Sequence, residues 1–254
     1  MITRVVLVAL LAATGTPPAP TLVRSPLQDD VPPGAEHAFS FTRAIYSDGF
    51  RRGRGSWSTD YPKADRQFLI GFRRLTLTDA FEGENPVALT DPNLRRFPVI
   101  YAVEVGRMAL TPAERTALRS FLDAGGMLIV DDFWGSWEWA NFAEEIRQVL
   151  PEYPIVDIPH DHPLLHTMYD IDEILQVPNV RNGLYGQGRT WEQDGFVPAL
   201  RGIFDHEGRL LVAINWNTDL GDAWEWADHP EYPLPFSNFA YKLGINLLIY
   251  GMTH

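Results

Sequence analysis

MLIVDDFW, residues 127–134, is an apolar run that ends abruptly in two acids and is followed by aromatic side chains. A continuous apolar run is typical of a strand that is buried on both faces of a parallel sheet. Gly125 and Gly126 directly before it would end a preceding helix. Asp131 and Asp132 are therefore predicted to lie at the carboxyl end of a strand, where open α/β sheets bind ligands.

The composition of the chain bounds its class and its partners. The 254 residues are 45% hydrophobic and include no cysteine, so one domain can bury a sizeable core and thiol chemistry is excluded. Lysine and arginine number 21 against 33 acids, which gives a net charge of −12. Because such a surface would repel a phosphate backbone, nucleic acid is not an expected partner.

The amino terminus predicts an export signal followed by a tether. Arg4 precedes a short apolar run, and small residues and prolines follow that run, as in a signal peptide. We interpret residues 1–20 as a signal peptide or short N-terminal anchor and residues 21–36 as a proline-rich tether. The apolar run is far shorter than the ~20 residues of a membrane-spanning helix. No integral membrane domain is expected, and the predicted location is periplasmic or extracellular.

Strands and helices alternate along residues 37–254, which we interpret as a single α/β domain. Runs of apolar residues predict strands at 39–46, 97–103, 127–130, 155–158, 201–205 and 209–215. Apolar residues at helical spacing predict helices at 62–75, 111–122, 137–149 and 237–249. This alternation is typical of a mostly parallel sheet that is covered by helices.

Helix starts are signalled most clearly at two places. Thr111, Pro112 and Glu114 form a capping box with a proline in the first turn. Ser237 is predicted to cap the last helix. Residues 183–197 have no clear period, and we expect a long, irregular insertion there.

Several sequence blocks in a fixed order give the chain a family resemblance. They are DYP, AD and FRRLT within 60–76, GG and DDFWG within 125–135, HPLLH at 162–166, NTDLGD and WE within 217–225, and GMTH at 251–254. Together they resemble the bacterial family called domain of unknown function 4159, over nearly the whole chain after the tether. The resemblance implies a class I glutamine amidotransferase-like fold in exported proteins. Such a fold is a flavodoxin-like three-layer arrangement with a mostly parallel sheet.

The implied fold relation does not extend to the amidotransferase reaction. Those enzymes use a cysteine nucleophile with a histidine and a glutamate, and this chain has no cysteine. Thiol-based glutamine hydrolysis is therefore excluded. No Gly-x-Ser-x-Gly elbow occurs either, which disfavours a serine triad.

The strand-end acids and their neighbours are the first group of candidate site residues. Asp132 is a candidate general base, and Asp131, Trp134 and Glu138 are candidate ligand-binding residues. If the strand continues through both aspartates, their side chains point to opposite sides and only one reaches the ligand. A helix cap or a pair with a buried arginine would use the same acids, and this alternative stays open.

An oxygen-rich run after the last predicted strand is the second group. Asp219 and Asp222 are candidate metal ligands, and Asn217 and Trp224 are candidate ligand-binding residues. Hard cations prefer several closely spaced oxygen ligands on a turn with a glycine, so the pattern allows a divalent cation. Asx-turns and a helix cap would use the same residues.

Histidines form the third group. His166 is a candidate general base and His162 a candidate ligand-binding residue. Because Pro163 follows His162, the two histidines are not expected to share a metal on one helix face.

Two classes of function follow from these residues. The first is a non-catalytic exported module that binds a small molecule, a cell-envelope polymer or a protein partner in the strand-end crevice. The second is a carboxylate- or histidine-dependent hydrolase, with or without a metal, that acts on envelope or imported material. The lack of a complete catalytic motif favours the first class. Placement of Asp132, His166 and Asp219 around one cavity would favour catalysis.

Overall fold

A seven-stranded sheet forms the centre of the part of the chain that the computed structural model describes, residues 39–49 and 56–254. Its strands are β1 (Thr42–Ile45), β2 (Asn85–Ala88), β3 (Val99–Val103), β4 (Met127–Asp131), β5 (Ile155–Asp157), β6 (Ala199–Phe204) and β7 (Leu210–Trp216). They lie in the order β2-β1-β3-β4-β7-β6-β5. The first five in this order are parallel, whereas β6 is antiparallel to both β7 and β5. The prediction of a mostly parallel sheet is confirmed.

Six α-helices in the described residues accompany the sheet. They are α1 (Lys63–Thr76), α2 (Pro112–Asp123), α3 (Gly135–Val149), α4 (Val180–Tyr185), α5 (Leu220–Glu225) and α6 (Leu234–Thr253). Along β4, Met127 and Ile129 join a core with α1 and α6, while Leu128 and Val130 join a second core with α2 and α3. Burial on both faces explains why β4 is apolar without alternation.

The N-terminus of the chain lies outside the described residues. This applies to the interpretations of residues 1–20 and 21–36 and to the predicted domain start at residue 37. All described residues belong to one compact unit. None of their helices is long and apolar enough to cross a membrane.

One predicted helix start is confirmed and one is wrong. Thr111 Oγ1 accepts a hydrogen bond from Glu114 N at 3.2 Å, and Glu114 Oε2 accepts one from Thr111 N at 2.8 Å, so the capping box is present. Ser237, in contrast, is buried within the first turn of α6, which begins at Leu234. The prolines beside Leu234 have the φ of a helix start and need no N–H partner there, so no side-chain cap is required.

Three elements had no clear signal in the sequence. Strand β2 is short and contains Pro86, a residue that is tolerated at the edge of a sheet, where β2 lies. Helix α5 lies inside the oxygen-rich run, and helix α4 extends to Tyr185, into the segment that was predicted to be irregular; each is only six residues long. None of the three is long enough to display the periodicity from which elements are predicted.

Candidate functional site

An acidic pocket of about 200 Å³ lies at the carboxyl edge of the parallel strands. Glu104 directly follows β3, Asp132 directly follows β4, and Asp219 lies shortly after β7. Asp60 reaches the same pocket from the turn before α1. Because parallel strands end at one edge, acids that are distant in the sequence share one small space.

Three of these acids have a backbone conformation that is unfavourable for a side chain. The φ angles of Asp60, Glu104 and Asp132 are 59°, 56° and 51°, in the left-handed region that non-glycine residues rarely adopt. The strand ends at Asp131, and the chain then turns at Asp132, so the simple alternation of the two side chains does not continue. Backbone strain of this kind is concentrated at functional sites.

Two sets of carboxylates converge in and beside this pocket. Asp60, Asp132 and Asp219 each offer one oxygen, and these atoms all lie within 4.8 Å of one another. Asp60, Asp222 and Glu225 form a second set by the same measure. Such spacing and oxygen chemistry suit a hard divalent cation.

One carboxylate oxygen of Asp60 is unpaired among the described residues. Its Oδ2 atom is buried and has no hydrogen-bond partner among the described residues. A Cβ atom at Gly221 would lie 2.7 Å from this oxygen and 3.5 Å from Asp219 Oδ1. A larger residue at position 221 would therefore fill the space beside both carboxylates.

Burial and mutual repulsion control the protonation of the first set. Burial raises the pKa of Asp60, Asp132 and Asp219 well above the usual range of an aspartate. Neighbouring acids raise each pKa further, with Asp222 acting on Asp60, Glu104 on Asp132, and Asp132 on Asp219. Arg43 lowers the pKa of Asp60, but ionisation of all three acids in this space remains unfavourable unless further positive charge joins them.

Glu104 has a pKa in the physiological range. Burial raises the pKa of its carboxyl to about 7, and the nearby Glu138 carboxylate also raises it, although Arg107 acts in the opposite direction. Arg107 Nε lies 3.6 Å from Glu104 Oε2 and 3.7 Å from Glu138 Oε1. Such a group can exchange a proton at neutral pH.

Asp131 lies behind the pocket and holds the start of α5. Its Oδ2 atom accepts hydrogen bonds from Tyr101 OH at 2.8 Å, Leu220 N at 2.9 Å and Gly221 N at 3.2 Å. Burial raises the pKa of Asp131 to about 7, while these hydrogen bonds lower it. The sequence left open that one of the two acids caps a helix. Asp131 does so, but it caps α5 and not α3, the helix that follows it in the chain.

Glu138 and Asn217 join the pocket to the insertion at 183–197. Glu138, which lines the pocket, accepts hydrogen bonds from Trp134 N at 2.6 Å and Gln193 Nε2 at 2.7 Å. Asn217 accepts one from Gly135 N at 2.8 Å and donates one to Val197 O at 2.7 Å. The insertion therefore forms one wall of the pocket, to which it contributes Glu192.

Trp134 and Trp224 are both buried, but only Trp134 lines the pocket. Trp134 Nε1 donates a hydrogen bond to Asp132 Oδ1 at 3.0 Å. Trp224 packs in the core, with its ring centroid 4.3 Å from that of Phe68. Trp134 thus contacts a pocket acid directly, whereas Trp224 contributes to the packing of the core.

The structure does not bring the two histidines to the pocket. The ring of His162 lies 5.5 Å from the rings of Phe204 and Tyr250. His166 Nδ1 contacts Asp170 Oδ1 at 2.9 Å, and its Nε2 contacts a backbone oxygen. Placement of Asp132, His166 and Asp219 around one cavity would have favoured catalysis. Asp132 and Asp219 line the same pocket, and His166 does not line it.

The fold and the pocket define an α/β protein with a mostly parallel sheet and an acidic pocket at its carboxyl edge. The chain belongs to the family described as Domain of unknown function (DUF4159), whose model matches residues 41–252. This match confirms the family resemblance of the sequence blocks. No curated protein matches the chain.

Proposed function

We propose that this protein is an exported, non-catalytic binding module whose strand-edge pocket holds a divalent cation. The observation that carries the proposal is the convergence of Asp60, Asp132 and Asp219, with one oxygen of each within 4.8 Å of the others. Carboxylate oxygens are the ligands that Mg²⁺, Ca²⁺ and Mn²⁺ prefer. The cation would in turn offer open coordination positions to a small molecule, an envelope polymer or a protein partner.

Electrostatics supports a cation in this place. The pKa of each of the three aspartates is raised by burial and by neighbouring acids, so ionisation of these carboxyls without a bound cation costs free energy. A divalent cation would displace those protons and turn the repulsion between carboxylates into attraction. Binding is therefore expected to release protons and to stabilise the folded chain.

We also propose that the chain has a flavodoxin-like fold of the amidotransferase type. Its support is the parallel part of the sheet, β2-β1-β3-β4-β7, which has the strand order 2-1-3-4-5 of flavodoxin-like proteins. In that order the ligand crevice lies between the first and third strands, where the chain changes direction across the sheet. Export is supported by the short apolar run after Arg4.

The test is a cation titration of the purified chain and of its Asp219→Asn variant after treatment with a chelator. Mn²⁺ should raise the melting temperature of the parent in a saturable way and should have little effect on the variant. Asparagine can still accept the hydrogen bond that Asp219 Oδ1 receives from Asp222 N. The metal-free variant is therefore expected to be at least as stable as the metal-free parent.

The matched control is Asp172→Asn, which removes an exposed aspartate outside the pocket. It should leave the Mn²⁺ response unchanged. A parent that shows no saturable response to Mn²⁺, Mg²⁺ or Ca²⁺ would refute the proposed function.

Glu104 favours a second candidate function, a metal-assisted hydrolase. Its carboxyl lines the same pocket as the three aspartates and has a pKa of about 7, which suits a general base. A bound cation would lower the pKa of a water molecule, and Glu104 would accept the proton from that water. Arg107 beside it would stabilise the carboxylate form.

Hydrolysis of model esters and phosphodiesters by the Mn²⁺-loaded chain tests this second function. We expect Glu104→Gln to lower kcat by about 10²–10⁴-fold while Mn²⁺ binding is retained. Absence of turnover in the parent, or equal turnover in the variant, would remove Glu104 from a catalytic role.

A further inference from the structure

We infer that the pocket is built for two divalent cations, with Asp60 as the carboxylate that bridges them. The inference rests on the proposed function and extends it from one ion to a pair. Asp60 belongs to both sets of convergent carboxylates, with Asp132 and Asp219 in one and with Asp222 and Glu225 in the other. In two-metal sites the ions lie about 3.5–4 Å apart, a distance that one carboxylate can span.

The two sets differ in their access to solvent. Asp132 and Asp219, which we call the inner ligands, are both buried. Asp222 and Glu225, the outer ligands, lie on α5, where Asp222 is buried and Glu225 is half-buried. Since one of its ligands is partly exposed, the outer ion should exchange with solvent more readily than the inner ion.

Asp60 has the free binding capacity that a bridge requires. Its buried Oδ2 atom has no hydrogen-bond partner among the described residues. A buried oxygen without a partner costs free energy unless a ligand binds it. Gly221, at the start of α5 between Asp219 and Asp222, leaves room beside this oxygen because it has no Cβ atom.

The charge of the five acids, when ionised, is large enough for more than one divalent cation. If all five were ionised, a single divalent cation would leave three negative charges and a second would leave one. Arg107, which also lines the pocket, lies beside Glu104 and Glu138, and the other basic side chains nearby have acidic partners outside the two sets. Arg43 pairs with Asp65, and Lys63 Nζ lies 3.5 Å from Asp228 Oδ1.

The outer ligands are held as metal ligands commonly are. Asp222 Oδ2 accepts a hydrogen bond from Val180 N at 2.6 Å, and its Oδ1 accepts one from Trp226 Nε1 at 3.2 Å. Such contacts orient a carboxylate and leave further lone pairs for an ion.

The test counts Mn²⁺ ions bound to the metal-free full chain near neutral pH. Electron paramagnetic resonance measures unbound Mn²⁺ during the titration and detects magnetic coupling between bound ions. We expect the parent to bind two ions per chain and to show coupling at saturation. Glu225→Gln should bind one ion without coupling, and Glu231→Gln, an exposed glutamate outside both sets, should behave as the parent.

The outcomes separate this inference from the proposed function. Binding of no ion by the parent would overturn both. Binding of a single ion that Glu225→Gln leaves unchanged would overturn the pair and keep the inner site. Asp60→Asn should reduce the affinity for both ions, and a variant that still binds two coupled ions would show that Asp60 is not the bridge.

Discussion

Replacement of Arg43 by methionine is expected to lower the free energy of unfolding by about 3–5 kcal/mol, the usual cost of breaking a buried ion pair. Arg43 is fully buried. It donates hydrogen bonds to Asp65 and to Thr59 O, and its guanidinium lies 4.9 Å from the centre of the Tyr101 ring. The variant would leave Asp65 buried without a positive partner, which accounts for most of the loss.

Urea unfolding of Arg43→Met and of two comparison variants measures this effect. Arg66 forms an exposed pair with Glu84, so Arg66→Met should cost less than about 1 kcal/mol. The double variant with Arg43→Met and Asp65→Leu should recover much of the loss, because no charge is then left unpaired. Equal losses for Arg43→Met and Arg66→Met would contradict the assignment of Arg43 as a buried structural charge.

The metal-free chain is expected to lose stability as the pH rises from about 4 to about 7. Asp131 and Glu104 each have a folded-state pKa of about 7, raised from 3.8 and 4.5. Within this window the folded state keeps protons that the unfolded state has released, so stability falls with pH and levels off above the folded pKa. At about 1.4 kcal/mol per pKa unit, Asp131 alone would account for about 4 kcal/mol.

This dependence is measured by urea unfolding across the window, with a chelator and then with Mn²⁺. Asp131→Asn, which can still accept from the same donors, should show a flatter profile than the parent. Mn²⁺ should stabilise the parent most at the upper end of the window, where it competes least with protons. A metal-free parent whose stability follows the same pH profile as that of Asp131→Asn would show that Asp131 ionises normally.

The sequence predicts the sheet better than it predicts the pocket. The run that ends in Asp131 and Asp132 defines β4 and places acids at its carboxyl end, and the structure has both. Those features depend on local apolar patterning, which one sequence contains. The convergence of Asp60 and Glu104 on the same space depends on strand order, because β1 lies beside β3 and β7 beside β4.

The pocket residues that the sequence analysis missed differ in the signal that the sequence contains for them. Glu104 directly follows a buried strand, as Asp132 does, so its position was available from the pattern. Glu192 lies in the insertion, where no periodicity indicates which side chains turn inward. His166 had a signal in the sequence but lies outside the pocket. Histidine is common in catalytic sites, and this histidine lies at the surface in contact with Asp170.

The wall that the insertion contributes is attached to the sheet by side-chain amides and carboxylates rather than by strand pairing. Asn217 and Gln176 hold its backbone, and Asp194 accepts hydrogen bonds from Ser136. Segments attached in this way can change in length and sequence without a change in strand register. If the pocket binds a ligand as proposed, changes confined to this segment would alter the wall that the ligand meets and would leave the acidic floor and the scaffold beneath it unchanged.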